Sequence, residues 1–474
     1  METKLKLLIT IFLFLILIFL PVFFNLNYQY LGKSVNITYR NMFQYFIKLN
    51  PPSYFLSETP KPLIAFFSYI FTPLFNYLLI SLLISLGFFY FLKISENFSN
   101  FFFSGLLAFL YAFLFFEDSW QNLLTGYWVY IYIPIMIIAI YYFLIKDYLK
   151  YGILNLSAGL IRPDSWFIAI IFLLLSFFQK EKRYLFLFLP FLAPIIWFFF
   201  DYRAFSHPFY SFIITARYPI ITGISLIKPR EFFPVVLKDI NNQTGWFFLM
   251  ISFLVIILVI YSQRKNLRNY LVLLIIIFSP FIFYFFLSLR GGVLPMRRFF
   301  LLSLFFLAFF LFHIFDIFLK KKISKILLQT ILFLFLFVIN FPADKIRDIK
   351  WNLKDEEEKM IAIETSIPVI KNYLLILKPK YLIIPFRRKA IFEYYLPEVK
   401  NNLESFREIA ALKKDIKNYE NSMVFYLIKD FAGLEIYFDF LSQLHPHLLK
   451  EENLIFEPLF SHPWYRLYFL KRIE

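Results

Sequence analysis

Residues 151–178 read YGILNLSAGLIRPDSWFIAIIFLLLSFF, and the fold turns on how this stretch meets a membrane. It is apolar except near its middle, where Arg162, Pro163 and Asp164 stand together. Lys146 and Lys150 precede it, and Lys180, Lys182 and Arg183 follow it. Short basic flanks mark cytoplasmic segments, so both ends are expected on the inner side. The stretch must then enter the membrane, turn and leave. A turn at Arg162–Pro163 leaves two apolar arms, each shorter than the roughly 20 residues of a full span. Pro163 lacks a backbone N–H and disfavours helix at Arg162, so a break there costs little. An ionised Arg and Asp at depth are costly unless paired or facing a wet cavity, which marks a functional site. The alternative is that the hairpin tip reaches the outer interface and both groups are simply solvated.

The rest of the chain supports a membrane reading. It has 474 residues, 60% of them hydrophobic, with 70 Phe and 32 Tyr, and its long apolar runs exceed what a soluble domain carries. The net charge of +17 points to anchoring loops and anionic membrane lipid rather than to nucleic acid. The lack of Cys excludes disulfides, a thiolate nucleophile and a Cys-ligated metal. Met1–Leu20 has a basic start and no small-residue cleavage site before Pro21, so it reads as an uncleaved first span.

Hydropathy predicts a mostly α, polytopic helical bundle of about 11 crossings over residues 1–340. The spans are expected at Leu7–Phe24, Ala65–Leu92, Phe101–Phe116, Trp128–Ile145, the hairpin, Tyr184–Phe200, Trp246–Tyr261, Asn269–Leu289, Phe299–Leu319 and Ile326–Asn340. Outer loops then fall at 25–60, 117–127, 201–245 and 290–298, with the N-terminus cytoplasmic. Fifteen Lys and Arg lie on inner segments and thirteen on outer ones, but the inner ones crowd short loops, where they weigh most. Residues 341–474 change character, with charge runs and short mixed apolar stretches. Helical spacing over Lys354–Leu377 and strand-like Tyr381–Pro385, Val424–Ile428 and Arg466–Leu470 predict a small extracytoplasmic α/β domain. The whole places the chain in the cell (plasma or inner) membrane as a multi-pass protein.

The expected outer loops collect the groups that a polar reaction needs. Glu58 is the acid of the first loop, and Glu117 and Asp118 are adjacent at the end of a span. Such carboxylates suit a general base for an acceptor hydroxyl, or a pair that shares a divalent cation, or simply solvated span ends. Arg203 and His207 in DYRAFSHPFY, Arg217, Arg290, Arg297 and Arg298 lie on the same side, where Arg is unusual. Their forked, charge-assisted bonds suit a lipid phosphate, and ordinary surface charge is the alternative. Gly291 and Gly292 would let backbone approach a phosphate. His207, His445, His447 and His462 form no metal box, and the chain has no P-loop, dinucleotide fingerprint or nucleophile elbow.

Four short elements, in this order, resemble integral-membrane glycosyltransferases of the GT-C superfamily, in the branch of protein mannosyltransferases and lipid A aminoarabinose transferases. A long loop after span one closes with Lys61-Pro62-Leu63. An acidic site, Glu117-Asp118, follows in the second outer loop. Gly159 to Asp164, GLIRPD, matches an apolar G-L-x-R-P-E/D motif, and a late span opens with Arg298-Phe299. His207 to Ser211, HPFYS, and a C-terminal α/β domain also look like the family. The resemblance implies transfer of a sugar from a polyprenyl-phosphate donor to a glycan, lipid or protein acceptor on the outer face. It implies a loop acid as base, and Lys61, Arg162, Asp164, Arg203, His207 and Arg298 at the lipid phosphate or sugar. The family usually carries Asp soon after span one; here the region reads VNITYRNMFQYF, with no carboxylate. Glu58 or Glu117 and Asp118 then replace that base, or the chain is a non-catalytic relative. A transporter or flippase of lipid-linked glycans would use the same charged groups without breaking a bond.

Overall fold

The computed structural model describes residues 2–24, 26–27, 30, 33–49, 61–99, 102–115, 123–124, 129–178, 184–213, 227–244, 246–263, 267–289, 300–340, 343–385, 388–406, 419–427 and 454–472. Helices dominate to residue 377, and a five-stranded sheet follows. Among the described residues, seven helices are long and apolar enough to cross a membrane: Thr3–Phe23, Pro73–Ser99, Leu185–Phe205, Asn269–Ser288, Leu301–Phe318, Lys322–Ile339 and Leu353–Leu377. Four shorter apolar helices accompany them, at Phe103–Phe113, Ile131–Leu144, Asp164–Phe177 and Phe248–Ser262. The protein is therefore a multi-pass helical bundle with a small C-terminal sheet.

The chain enters along α1 (Glu2–Phe23), whose Lys6 is buried in an ion pair with Glu96 of α4 (Pro73–Ser99). Between them lie α2 (Lys33–Lys48) and α3 (Pro62–Ile70). The hydropathy reading made Ala65–Leu92 one span, and the structure divides it. Pro73 cannot donate to a preceding turn and disfavours helix at Thr72. Helix α3 ends as Phe71 N–H bonds to Phe67 O at 2.8 Å, and Thr72 Oγ1 accepts from Phe75 N–H at 3.3 Å as an N-cap. Helices α5 (Phe103–Phe115) and α6 (Val129–Leu144) pack on α4.

The hairpin of residues 151–178 breaks where Pro163 predicts. Helix α7 (Tyr148–Gly159) ends and α8 (Asp164–Phe178) begins across it. A 3-10 segment (Tyr184–Phe191) runs against α7, where a Cβ on Gly152 would lie 2.4 Å from Phe186 O. It leads into α9 (Leu192–Phe205), which passes the expected end at Phe200. The continuation is possible because Asp201, buried in the helix, accepts from Ser211 N–H at 2.8 Å and Ser211 Oγ–H at 2.9 Å. Helix α10 (Pro229–Thr244) occupies part of what was read as loop 201–245. Then come α11 (Trp246–Ser262), α12 (Leu267–Ser288), α13 (Leu301–Phe318) and α14 (Lys322–Asn340). Helix α13 is the axis of the bundle, with every residue from Leu301 to His313 buried. Helices α1 and α14 leave Leu8, Phe12, Phe19, Ile323, Leu327 and Val338 exposed, as lipid-facing helices do.

Helix α15 (Ala343–Leu377) carries the chain to the sheet, ordered β2-β1-β3-β5-β4. Strands β1 (Leu382–Pro385), β3 (Ser422–Leu427) and β5 (Tyr465–Arg472) match three of the predicted strands. Strands β2 (Leu403–Phe406) and β4 (Leu454–Ser461) are the two edges, and the sequence reading missed both. Pro458 fits in β4 because an edge strand need not donate on both sides. Strand β1 pairs in parallel with β2 and β3, and β5 pairs antiparallel with β3 and β4. This sheet has its own apolar core, which also takes in Ile37 from α2.

Helix α2 joins the two cores by splitting its faces. Phe46 stacks on Phe200 at 5.1 Å and Phe43 meets Phe66 at 5.6 Å, on the bundle side. At positions i, i+4 and i+8, Ile37, Asn41 and Tyr45 face the other way. Asn41 Nδ2 donates to Ala390 O at 2.7 Å, and Tyr45 donates to Glu393 of α16 (Lys389–Tyr395). Arg388 forks onto Glu356 of α15 at 2.9 and 3.1 Å. Lys389 is buried here; burial pulls its pKa below the ordinary lysine value, against the opposing pull of Glu404 and Glu393.

Candidate functional site

The break between α7 and α8 gathers the first polar centre. Helix α7 ends as Leu160 N–H bonds to Leu156 O and Arg162 N–H to Ala158 O, at 3.1 and 2.8 Å. Ser165 Oγ donates back to Arg162 O at 2.9 Å and opens α8. Arg162 and Asp164 are each only 2% exposed, so the solvated-tip alternative does not describe them. Arg162 Nη2 lies 2.7 Å from Asp164 Oδ2 and donates to the Tyr284 hydroxyl of α12 at 3.0 Å. Its guanidinium also sits 4.7 Å from the ring centre of Tyr132 on α6. Three elements thus hold one charge pair.

Lys61 belongs to the same neighbourhood. Pro62 opens α3 at its first position, where its missing N–H is no loss. Leu63 N–H then points to Leu160 O at 3.5 Å, which lays the Lys-Pro-Leu turn against the broken helix. The buried Lys61 ammonium lies 5.7 Å from the ring centre of Tyr39 on α2. Gly159 makes room for this crossing of segments: a Cβ there would lie 2.7 Å from Ala193 Cβ and 2.9 Å from Trp166 Nε1. Trp166 Nε1 in turn donates to Gly159 O at 3.0 Å. Two of the family-like motifs, KPL and GLIRPD, are therefore in contact.

The remaining expected residues divide. Arg203 lies half-buried with its guanidinium 5.9 Å from the Phe46 ring, on the bundle side of α2. His207 is exposed, and its Nδ1 accepts from Phe209 N–H at 3.1 Å, so it caps a local turn after Ser206 ends α9 at φ 59°. Glu58, Glu117, Asp118, Arg217, Arg290, Gly291, Gly292, Arg297 and Arg298 lie outside the described residues. The acids read as able to share a divalent cation are among these, and no group of three His, Asp or Glu is placed to hold one among the described residues. The stretch that lacks the family's Asp is part of α2. Its polar groups serve the fold: Asn36 Nδ2 donates to Phe71 O at 3.3 Å, Arg40 lies 5.7 Å from the Tyr394 ring, and Asn41 holds Ala390.

Sequence reasoning missed a second buried polar centre. His313 of α13 has Nε2 2.8 Å from the Tyr270 hydroxyl of α12 and Nδ1 3.3 Å from Asp316. Gln329 of α14 donates to Asp316 Oδ1 and to Phe312 O at 3.1 and 3.0 Å, and Lys325 Nζ donates to Asp316 O at 2.9 Å. Phe309 stacks on the imidazole at 4.9 Å. The signal was present, since His313 and Asp316 are an ionisable pair i, i+3 in a helix whose other residues, Ser303 apart, are apolar. Tyr284, Tyr132 and Tyr39 gave no signal: each is one hydroxyl among 32 Tyr in aromatic-rich runs.

No family model matches the sequence, and no curated protein matches it. Among solved structures the chain is similar to ArnT from Cupriavidus metallidurans bound to undecaprenyl phosphate. That likeness covers 98% of this chain and 97% of that one, at 10% identity and a TM-score of 0.51. It extends over both the bundle and the C-terminal sheet, so the chain shares the fold of that protein. The fold expected from the four motifs is the fold observed.

Proposed function

We propose that the protein is a membrane glycosyltransferase that moves a sugar from a polyprenyl-phosphate-linked donor to a glycan, lipid or protein acceptor on the outer face of the membrane. The observation that carries this reading is the contact of Lys61's turn with the buried Arg162–Asp164 break, in a chain with the fold of a protein solved with a polyprenyl phosphate. In the reaction an acceptor hydroxyl oxygen bonds to the anomeric carbon of the sugar. The bond from that carbon to the phosphate oxygen breaks, the lipid phosphate leaves with the electron pair, and a carboxylate takes the hydroxyl proton. Charge therefore grows on the leaving phosphate, where a fixed cation acts most strongly.

Lys61 is the first candidate for that cation, placed at the N-terminus of α3, where the helix dipole adds positive potential. Arg298 is the second. Arg162 is committed to Asp164 and Tyr284, so its part is to fix the break against α12 and α6. Arg203 and His207 are assigned to the sugar and its approach. Glu117 and Asp118 are the preferred base, with Glu58 next. Transfer by the purified chain in reconstituted membranes, with Glu117→Gln, Asp118→Asn and Glu58→Gln made singly, tests this. Loss of turnover in at least one supports the reading. Full turnover in all three removes these acids as the base. Movement of intact lipid-linked sugar without transfer would favour the flippase. For sidedness, an external thiol reagent should reach a Cys placed at Asn401 and miss one at Lys321, and the reverse would overturn the topology.

A further inference from the structure

At the far ends of α4 and α7 from the candidate site, a cluster of aromatic rings and amines stands apart from everything assigned above. Arg162 and Lys150 are 12 residues apart, most of them the helix α7, roughly 18 Å at the helical rise. Lys93, near the end of α4, has its ammonium 4.8, 5.3 and 5.5 Å from the ring centres of Phe89, Tyr90 and Tyr141. Among the described residues it has no carboxylate partner. Lys150 Nζ lies 4.9 Å from the Tyr142 ring and 2.8 Å from Asp147 Oδ2. The Tyr90 and Tyr142 hydroxyls meet at 2.9 Å and so tie the two lysines into one cluster. Close to Lys150 in sequence, Ile145, Leu149 and Ile153 are exposed, the last two on one face of α7 at i, i+4.

We infer that this cluster binds the phosphodiester headgroup of an anionic glycerophospholipid. Two ammonium groups, and the one hydroxyl proton that the Tyr90–Tyr142 bond leaves over, supply charge-assisted and neutral donors for a phosphate. The rings hold Lys93 in place without cancelling its charge, as a carboxylate would. The exposed apolar side chains give acyl chains a surface, which free phosphate would not use. Two carboxylates lie near: Asp147 faces Lys150, and Glu96, which acts on Tyr141, is paired with Lys6, so Lys93 carries the larger share. The inference does not rest on the transferase reading, and its test needs no turnover.

Native mass spectrometry of the full chain from mixed micelles would count retained phosphatidylglycerol against phosphatidylcholine. The wild type should retain phosphatidylglycerol in preference. Lys93→Gln should lower that retention about fivefold, the effect of one lysine near an anionic surface. Lys93→Arg should keep it, and Lys321→Gln, which removes an equal charge from an exposed lysine outside the cluster, should leave it unchanged. No lipid preference, or equal losses in Lys93→Gln and Lys321→Gln, would overturn the site. A loss shared by Lys93→Gln and Lys93→Arg would report damage to the ring cluster and would also count against it. Displacement of the lipid by inorganic phosphate at matched concentration would make it a free-phosphate site and end the lipid assignment.

Discussion

Two of the buried polar centres among the described residues of the bundle are built from similar groups and differ in what the backbone does around them. Helix α12 serves both, with Tyr284 at Arg162 and Tyr270 at His313. At Arg162 and Asp164 the helix is interrupted, and the charge pair sits where α7 stops and α8 starts, against the Lys61 turn. At His313 the helix is continuous, and the imidazole is enclosed by Tyr270, Asp316 and the Phe309 ring. An interrupted helix inside a membrane protein is tolerated where it lines a cavity or is held by neighbouring protein. A continuous helix with a satisfied polar cluster needs no such excuse and reads as a staple among α12, α13 and α14. We therefore propose ligand chemistry at the first centre and cohesion at the second.

The largest expected effect sharpens this assignment. Replacing the true base among Glu117, Asp118 and Glu58 should cut sugar transfer about a hundredfold to ten-thousandfold, measured as initial rate in proteoliposomes. The next acts on the first centre itself. Arg162→Ala strands Asp164 in a site 2% exposed, and should cost about 3–5 kcal/mol, read from unfolding in detergent. Replacing the pair together, Arg162→Met with Asp164→Leu, should recover most of that stability while transfer stays low. If the double variant transfers normally, the break has no part in the reaction.

The second centre should respond differently. His313→Ala leaves the Asp316 carboxylate and the Tyr270 hydroxyl without their shared partner, and should cost about 1–3 kcal/mol. Transfer per folded molecule should stay near wild type, and a change in the KM for the lipid-linked donor would break the division drawn here. The smallest effect concerns the seam between bundle and sheet. Asn41→Ala removes a bond to Ala390 O and should cost about 1 kcal/mol, seen as faster proteolysis of the C-terminal part.

How much of this was legible in the sequence depended on contrast. Arg162-Pro163-Asp164 stood out because charge and Pro interrupt an apolar run, and the break is there. The three strands bounded by breakers were legible for the same reason. The division of Ala65–Leu92 was not, because Pro73 sits at the first turn of α4, where Pro is compatible with helix. Asp201 looked like a loop residue because its partner Ser211 lies ten residues on, invisible to hydropathy. Strand β4 hid behind Pro458, which only its edge position explains. The tyrosines around Arg162 come from helices far apart in sequence, and no local pattern names them.

The claim that the interrupted centre is the ligand site is tested most directly by retention of a polyprenyl phosphate on the purified chain. The measurement compares the wild type with Lys61→Met and His313→Asn by native mass spectrometry. The wild type and His313→Asn should retain the lipid phosphate equally, and Lys61→Met should lose it about tenfold or more, as removal of a charged contact to phosphate requires. Equal retention by Lys61→Met, or loss in His313→Asn alone, would contradict the account.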